Sequence, residues 1–259
     1  MMNSVKDIIK INTIEAVELL LPVKCVICGK STSYSQHESL DRCYRRITGR
    51  DRMHVCNKCL VNLVSEDSKE RWNFCLSNPV PNDSYPELPL YLAFPYDGIM
   101  RKIITNLKFR DKRECGYLAG MLLGKMLKDD GVNADMIIPM PLHPRRLEER
   151  GYNQAEIIAH SVAEMNEIPM ITGVLLRERY TERQSEIKDV NERISNVSHA
   201  FTVAENWDIT GSTIILIDDV VTTGFTMHEA ASVLLNNGAS KVLCCAVAGN
   251  RLLKNADRF

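Results

Sequence analysis

Apolar residues in the C-terminal two-thirds of the chain occur alternately as short continuous runs and as helix-spaced positions. The runs at 134–141, 212–217 and 241–248 predict buried strands, because a strand covered on both faces has no polar side. Apolar residues three and four apart within 115–127 and 155–163 predict intervening helices. Strands that alternate with helices predict parallel pairing through right-handed crossovers. The predicted fold class is therefore α/β, with an open parallel sheet.

The N-terminal third has a different pattern. Residues 5–21 have the apolar spacing of an amphipathic helix, and residues 25–59 are polar and carry paired cysteines. The segment 77–89 holds four prolines and little apolar periodicity, which is typical of a boundary. We therefore predict two domains, an N-terminal helix with a cysteine module at 1–80 and an α/β domain at 90–259.

The stretch IILIDDVVTTGFT, residues 214–226, ends a predicted buried strand on two adjacent carboxylates, Asp218 and Asp219. Thr222–Gly224 follow, where a helix would begin, and the N–H groups, helix dipole and hydroxyls there suit a phosphate. The acids can accept hydrogen bonds from neighbouring hydroxyls or bind Mg²⁺ through oxygen ligands. A ribose 5-phosphate, with a phosphate near a diol, satisfies both halves. The alternative is an acid pair that merely leaves the strand before an N-cap turn.

The string LIDDVVTTGFT resembles the 5-phosphoribosyl pyrophosphate (PRPP) motif of type I phosphoribosyltransferases. This resemblance implies a type I phosphoribosyltransferase-like sheet that binds PRPP with Mg²⁺, and contacts of Asp218 and Asp219 with the ribose hydroxyls. It also implies a loop that wraps the 5-phosphate, formed by Val221, Thr222, Thr223, Gly224 and Thr226.

Four further segments resemble the ComF branch of that superfamily, known as competence or amidophosphoribosyltransferase-like proteins. They are YDGIMRKIITNLKFRDK (96–112), IPMPLHPRRLEERGYNQAE (138–156), LLRERYTERQ (175–184) and RISNVSHAF (193–201). With the cysteine module in front, the resemblance covers almost the whole chain. It implies transfer of a phosphoribosyl group to an acceptor with release of pyrophosphate, in a protein connected with DNA uptake.

Release of pyrophosphate requires cations and hydrogen-bond donors around its developing charge. We place Arg150 with the acid pair as a catalytic residue. The further candidates are Lys108, His143, Arg145, Arg177 and Arg193, with Arg110, Arg146, Arg179 and Arg183 as additional cations. A solvated surface is the alternative for any one of them. The polar segment 177–196 suits a flap that closes over the ligand, or a groove in which Tyr180 stacks a base of single-stranded DNA.

Two CxxC pairs, Cys25/Cys28 and Cys56/Cys59, supply the four thiolates of a structural zinc site. The 27 residues between the pairs exceed the usual ~15–20 of such zinc ribbons, which predicts an inserted loop. That loop carries Cys43 and His37 as spare candidate ligands, and a redox role for one CxxC is the alternative. The remaining cysteines fall in apolar segments and are predicted to be small core residues: Cys75, Cys115, Cys244 and Cys245.

Composition narrows the function classes. The chain has 45% hydrophobic and 25% charged residues, as globular proteins do, and 32 basic against 33 acidic residues exclude a strong overall field for nucleic acid. No run reaches the ~18 apolar residues of a membrane span, and residues 1–22 lack a signal-peptide pattern. We expect a cytoplasmic protein without membrane insertion.

Two functions stay open, and each is compatible with a homo-oligomer. The first is a phosphoribosyltransferase. The second is a non-catalytic protein, regulated by PRPP or nucleotide, that binds single-stranded DNA and a competence helicase.

Overall fold

The computed structural model describes residues 23–32, 38–50, 53–67, 72–76, 87–178 and 200–250. The chain divides into two compact units, Met1–Ser68 and Lys69–Phe259. The predicted helix at 5–21, His37, and the part of the flap with Tyr180 and Arg193 lie outside the described residues. The predicted domain bounds, 1–80 and 90–259, remain a prediction about where each part folds on its own.

The first unit is a small cysteine module. It contains two helices, α1 (Glu38–Thr48) and α2 (Asn57–Asp67). A bridge between Lys24 and Ser31 closes the turn that carries the first CxxC pair. Tyr44, Ile47 and Leu63 are buried on the inner faces of the two helices. Because so small a unit buries little apolar surface, a module of this kind depends on a metal or on disulfides for its stability.

The second unit is an α/β domain in which strands alternate with helices. Its strands are β1 (Trp72–Leu76), β2 (Leu88–Pro95), β3 (Met136–Pro139), β4 (Leu175–Arg177), β5 (Phe201–Val203), β6 (Thr213–Val221) and β7 (Lys241–Gly249). Its helices are α3 (Gly98–Phe109), α4 (Arg113–Asp129), α5 (Pro144–Arg150), α6 (Gln154–Asn166) and α7 (Phe225–Asn236).

Five of these strands form one sheet in the order β1-β2-β7-β6-β3. Neighbouring strands from β2 to β3 are parallel, and β1 adds an antiparallel edge. Strands β4 and β5 form a separate antiparallel pair. The predicted α/β class with a parallel sheet is confirmed. The antiparallel edge strand is an addition that the apolar runs did not indicate.

Helices pack on the faces of the sheet, and the candidate ligand site lies at the carboxyl ends of its parallel strands. Helix α4 packs on β2 and β7, α6 packs on β3 and β6, and α7 packs on β6 and β7. The consecutive residues Ile214–Ile217 of β6 are all buried, so both sides of this strand are covered. Strand β6 continues past its predicted end at Ile217 and includes the acid pair, because β7 pairs with it as far as Val221. The carboxyl ends of these parallel strands meet at the edge where ligands bind in open α/β sheets.

Glycines in α4 allow a close approach of α6. A Cβ atom on Gly120 would lie 2.5 Å from the carbonyl oxygen of Ile158 and 2.7 Å from Cβ of Ser161, both on α6. A Cβ atom on Gly124 would be less crowded, since its nearest neighbour would be Cα of Val162 at 3.2 Å. The two helices therefore touch most closely at Gly120.

We expect Gly120→Ala to lower the free energy of unfolding by about 2–3 kcal/mol, because the added methyl group forces the two backbones apart. Gly124→Ala is the matched control, since it gains the same ~1 kcal/mol of helix propensity at a looser contact. Urea denaturation of both variants measures the difference. Equal free energies of unfolding for the two variants would contradict the close approach at Gly120.

Candidate functional site

The acid pair lies at the carboxyl end of β6. Asp219 is buried and Asp218 is partly buried. The backbone N–H of Asp219 donates a hydrogen bond to Oδ1 of Asp218 over 2.7 Å. Two neighbouring carboxylates thus share a place with little access to water, where each is costly to keep charged without a cation nearby.

The last turn of α3 brings such a cation to the acid pair. Lys108 Nζ lies 2.8 Å from Oδ1 of Asp219, and 24% of the lysine side chain and 8% of the aspartate side chain are exposed. Burial works to lower the pKa of Lys108, but the charge and hydrogen bond of Asp219 outweigh it and hold this pKa above its ordinary value. Asp218 and Tyr96 add to this effect. Lys108 is therefore a charged partner of Asp219 inside the site.

Asp218 titrates far from its ordinary range. Burial, followed by the neighbouring charge of Asp219, raises the pKa of Asp218 to about 7. The cations Lys108 and Arg177 and the N–H of Asp219 act in the opposite direction. Carboxyl groups with strongly raised pKa values are common at ligand-binding and catalytic sites, where like charges are placed together.

The loop after β6 turns sharply into α7. Gly224 caps the N-terminus of α7 with a φ of 85°, in the left-handed region that favours glycine. A Cβ atom at this position would also lie 2.5 Å from Cδ2 of Leu76 on β1. The carbonyl of Val221 accepts a hydrogen bond from the N–H of Asn250 over 3.1 Å, and the carbonyl of Gly224 accepts one from the N–H of His228 over 2.8 Å. Both ends of the loop are thus held by the backbone.

One threonine in this loop has a hydroxyl group without a hydrogen-bond partner among the described residues. Thr223 Oγ1 is buried and makes no hydrogen bond within the described part of the chain. An unsatisfied buried polar group costs about 1–3 kcal/mol, so its presence calls for an explanation. The loop stands at the N-terminus of the twelve-residue helix α7, where orphan N–H groups and the helix dipole favour an anion. Thr223 thus contributes an unsatisfied hydroxyl group to the turn before α7.

The pair β4–β5 carries a guanidinium group near the acids. Cζ of Arg177 lies 5.4 Å from the ring centroid of Phe201. Burial and the charge of Arg146 lower the pKa of Arg177, while the charge of Asp218 works to raise it. The structure thus brings Arg177 and Arg146 into electrostatic reach of one another, and Arg177 into reach of Asp218.

Two other basic candidates make their described contacts within α5. His143 is the N-cap residue of this helix, and its Nδ1 accepts a hydrogen bond from the backbone N–H of Arg145 over 3.2 Å. Nε of Arg145 lies 3.6 Å from Oε1 of Glu149, one turn further along, and 68% of the arginine side chain is exposed. The two neighbouring arginines thus have different described interactions. Arg145 pairs with Glu149, whereas burial and the charge of Arg146 lower the pKa of Arg177.

Arg150 and Asn153 organise the turn between α5 and α6. Arg150 donates a hydrogen bond to Oε1 of Gln154, and its Cζ lies 6.0 Å from the ring centroid of Phe109. The buried side chain of Asn153 caps α6 and donates to the carbonyl of Met140 over 2.9 Å. Sequence reasoning did not single out Asn153, although an asparagine directly before a predicted helix is a cap signal.

The two CxxC pairs meet in the first unit. The Sγ atoms of Cys25, Cys28, Cys56 and Cys59 all lie within 4.8 Å of one another. The N–H of Cys56 donates to Sγ of Cys25 over 3.4 Å. Burial works to raise the pKa of Cys25, but backbone hydrogen bonds, chiefly from Cys28 and Cys56, outweigh it and lower this pKa to about 7. Four converging thiols, one of them easily ionised, can hold a tetrahedral metal ion such as Zn²⁺.

The other cysteines stand apart from this cluster. Cys43 lies on α1 and is not among the four converging thiols. Cys115, Cys244 and Cys245 are completely buried, as predicted for small core residues. The side chain of Cys75 lies outside the described residues.

The chain is similar to several known proteins. Residues 147–259 match the family described as phosphoribosyl transferase domain. The chain is 28% identical over 229 residues to the DNA utilization protein YhgH of Salmonella typhimurium, covering 86% of this chain and 96% of that protein. It is 32% identical over 150 residues to competence protein ComFC of Bacillus subtilis, covering 56% of this chain and 58% of that protein. A solved glutamine PRPP amidotransferase from B. subtilis is 21% identical, covers 56% of this chain and 30% of that chain, and has a TM-score of 0.39.

These matches show which known proteins the chain resembles. The chain spans nearly all of YhgH but little more than half the length of ComFC. It is similar to ComF and YhgH proteins, and residues 147–259 of its second unit match a phosphoribosyl transferase domain. Among the helices that the structure describes, none is both long and apolar enough to cross a membrane.

Proposed function

We propose that the second unit binds PRPP together with Mg²⁺ and transfers its phosphoribosyl group to an acceptor, with release of pyrophosphate. This proposal rests above all on the junction between β6 and α7. There the acid pair Asp218/Asp219 is followed at once by a glycine turn with a buried threonine hydroxyl that has no partner in the described residues. A ribose 5-phosphate presents its diol to the acid pair and its phosphate to the glycine turn.

Each predicted residue takes a role in this proposal. Asp218 and Asp219 accept hydrogen bonds from the ribose hydroxyls, and their oxygens fit the hard-ligand preference of Mg²⁺. Bound Mg²⁺ supplies positive charge to the pyrophosphate. The 5-phosphate is surrounded by Val221, Thr222, Thr223, Gly224 and Thr226. The two cations whose charges act on Asp218, Lys108 and Arg177, face the pyrophosphate together with Arg146. The roles of Arg150, His143, Arg145 and Arg193 at the pyrophosphate also remain proposals.

The reaction needs charge stabilisation more than it needs covalent chemistry by the protein. The bond between C1 of the ribose and a pyrophosphate oxygen breaks, and its electron pair leaves with the pyrophosphate. A lone pair of the acceptor forms the new bond at C1. Negative charge grows on the leaving oxygen, where guanidinium groups such as that of Arg177 stabilise it.

Calorimetric titration of the zinc-loaded protein tests this function directly. PRPP, ribose 5-phosphate and pyrophosphate are titrated separately, each with and without Mg²⁺. We expect saturable binding of PRPP that requires Mg²⁺, and weaker binding of either fragment. A screen of bases and amines for pyrophosphate release then identifies the acceptor. If the folded protein binds neither PRPP nor ribose 5-phosphate, the proposed function is wrong.

Thr223→Val is expected to improve stability while it weakens binding. The valine removes an unsatisfied buried hydroxyl, so the free energy of unfolding should rise by about 1 kcal/mol. Loss of one hydrogen bond to a charged phosphate should lower PRPP affinity about tenfold. Urea denaturation and calorimetry measure the two effects. Thr202→Val is the control, because the hydroxyl of Thr202 donates to Oε1 of Glu178 in an exposed hydrogen bond of 3.1 Å. A less stable Thr223→Val variant with unchanged affinity would show a purely structural threonine.

A second candidate function is binding of single-stranded DNA during DNA uptake, regulated by PRPP. The names of the relatives favour it, since one is a DNA utilization protein and another a competence protein. A competence helicase is the predicted partner. Fluorescence anisotropy with a labelled oligonucleotide tests DNA binding. We expect affinity to fall steeply with salt if phosphates are contacted, because bound counterions are released. Affinity that is absent at low salt would reject this candidate.

We further propose that the cysteine cluster holds structural Zn²⁺ and that the protein acts in the cytoplasm. Four thiols in a reducing compartment bind zinc rather than form disulfides. Sedimentation velocity of the purified protein tests whether the chain forms a homo-oligomer.

A further inference from the structure

Lys108 occupies a position that the proposed ligand needs. Its ammonium group lies 2.8 Å from Oδ1 of Asp219, in an ion pair with little exposure on the aspartate side. This contact joins the last turn of α3 to the carboxyl end of β6. Ile104 and Leu107 of the same helix are completely buried, so α3 is anchored and directs Lys108 to this place. A ribose hydroxyl or a divalent cation that uses Oδ1 of Asp219 therefore meets a lysine already bound there.

We propose that Lys108 is a built-in counter-ion of the acid pair, which competes with divalent cations for Asp219 and leaves Asp219 when PRPP and Mg²⁺ bind together. The identity of the ligand rests on the proposed function. The competition itself concerns only residues of this chain.

Charge balance explains why the lysine has to move. Asp218 and Asp219 carry two carboxyl groups, and Lys108 already neutralises the one that is nearly inaccessible to water. A divalent cation placed on Asp219 beside the ammonium group would meet strong repulsion at close distance in a poorly solvated site. Cation and ammonium therefore exclude one another at this carboxylate.

The same ammonium group has a second use once PRPP arrives. The pyrophosphate of this ligand brings negative charge to the edge of the sheet at which α3 ends. A lysine acts there as a mobile point charge on a flexible stem, unlike an arginine that needs a fixed planar geometry. Lys108 can thus exchange Asp219 for pyrophosphate, and a bare cation offers no such exchange. Divalent cations should consequently bind well with the ligand and poorly without it.

Titration with Mn²⁺ in the absence of PRPP tests this competition, with the free cation followed by electron paramagnetic resonance. Mn²⁺ replaces Mg²⁺ at oxygen ligands. The full-length zinc-loaded protein is compared with Lys108→Gln and with the matched control Lys102→Gln, which removes an exposed lysine from the same helix. We expect Lys108→Gln to bind Mn²⁺ at least about fivefold tighter, at the low end of typical coupling between competing sites. Lys102→Gln should bind Mn²⁺ as the unchanged protein does.

In Lys108→Gln the glutamine retains an amide donor for Asp219, and circular dichroism checks that this variant is folded. Two further variants complete the test. Lys108→Arg keeps the charge and should keep the weak affinity for Mn²⁺. Adding Asp219→Asn to Lys108→Gln should abolish the gain in affinity for Mn²⁺.

Equal or weaker Mn²⁺ binding by Lys108→Gln, or no Mn²⁺ binding by any variant, overturns the inference. Because PRPP is absent from this titration, failure of the proposed function shows separately, in the calorimetry with PRPP. A protein that binds Mn²⁺ more tightly as Lys108→Gln and yet never binds PRPP would support the counter-ion and reject the transferase.

Discussion

Asp218→Asn/Asp219→Asn is expected to abolish saturable binding of PRPP, with affinity reduced by at least about 100-fold. A hydrogen bond to a charged group contributes about 1.5–3 kcal/mol, and each ~1.4 kcal/mol corresponds to a factor of ten in affinity, so two such bonds account for this loss. The amides also cannot bind Mg²⁺ as carboxylates do. Asparagine has nearly the shape of aspartate and relieves the repulsion within the pair, so we expect a folded protein. Calorimetry and urea denaturation measure affinity and stability together.

Two exposed acids provide the control for this experiment. Asp111→Asn/Asp129→Asn makes the same two aspartate-to-asparagine changes, on side chains that are 73% and 44% exposed. We expect this variant to bind PRPP as the unchanged protein does. If the Asp218/Asp219 variant also keeps its affinity, the ribose does not contact the acid pair and the clamp at β6 is wrong.

Removal of the metal from the cysteine cluster is expected to unfold the first unit. Four thiols within 4.8 Å of one another repel when ionised, and the described residues of the unit include few buried apolar side chains to offset this. Structural zinc contributes about 10–16 kcal/mol to folding in zinc-finger peptides. Cys59→Ser, or treatment with a chelator, should therefore remove one zinc ion per chain and make the first unit sensitive to protease. Elemental analysis and limited proteolysis measure these two effects.

Cys43→Ser serves as the matched control, because Cys43 lies on α1 outside the cluster. We expect its zinc content and protease resistance to match those of the unchanged protein. Loss of zinc from Cys43→Ser, with zinc retained by Cys59→Ser, would show a different ligand set. A zinc-free chain with an unchanged cleavage pattern would show that the metal does not hold the unit together.

The strands that could be predicted from the sequence are those in which neither face is polar. Continuous apolar runs marked β3, β6 and β7, of which β6 and β7 each pack against two helices and β3 packs against α6. The end of β6 was placed too early because two carboxylates interrupt the run, although pairing with β7 continues through them. Strand β2 was missed because Pro89 and its neighbouring prolines are typical of loops. A proline near the beginning of a strand removes few ladder hydrogen bonds, which explains how β2 tolerates it.

Local parts of the site were predictable and long-range parts were not. The acid pair and the phosphate loop are contiguous, so one stretch of sequence shows both halves. The ion pair between Lys108 and Asp219 depends on how α3 packs beside β6, and periodicity carries no information about that. The capping contact of His143 had a local signal, because a residue directly before a proline at a helix start is a typical N-cap position.

The position of β7 in the sheet has a consequence for how the protein is made. It is the last strand in chain order among the described residues, yet it lies in the middle of the sheet, between β2 and β6. During synthesis β2 and β6 leave the ribosome earlier, and each exposes an unpaired edge of buried-type residues until β7 emerges. The parallel sheet therefore closes only when residues 241–249 have been translated. A nascent chain stalled before that point would present two open strand edges, the form of an unfinished domain most prone to aggregate or to recruit a chaperone.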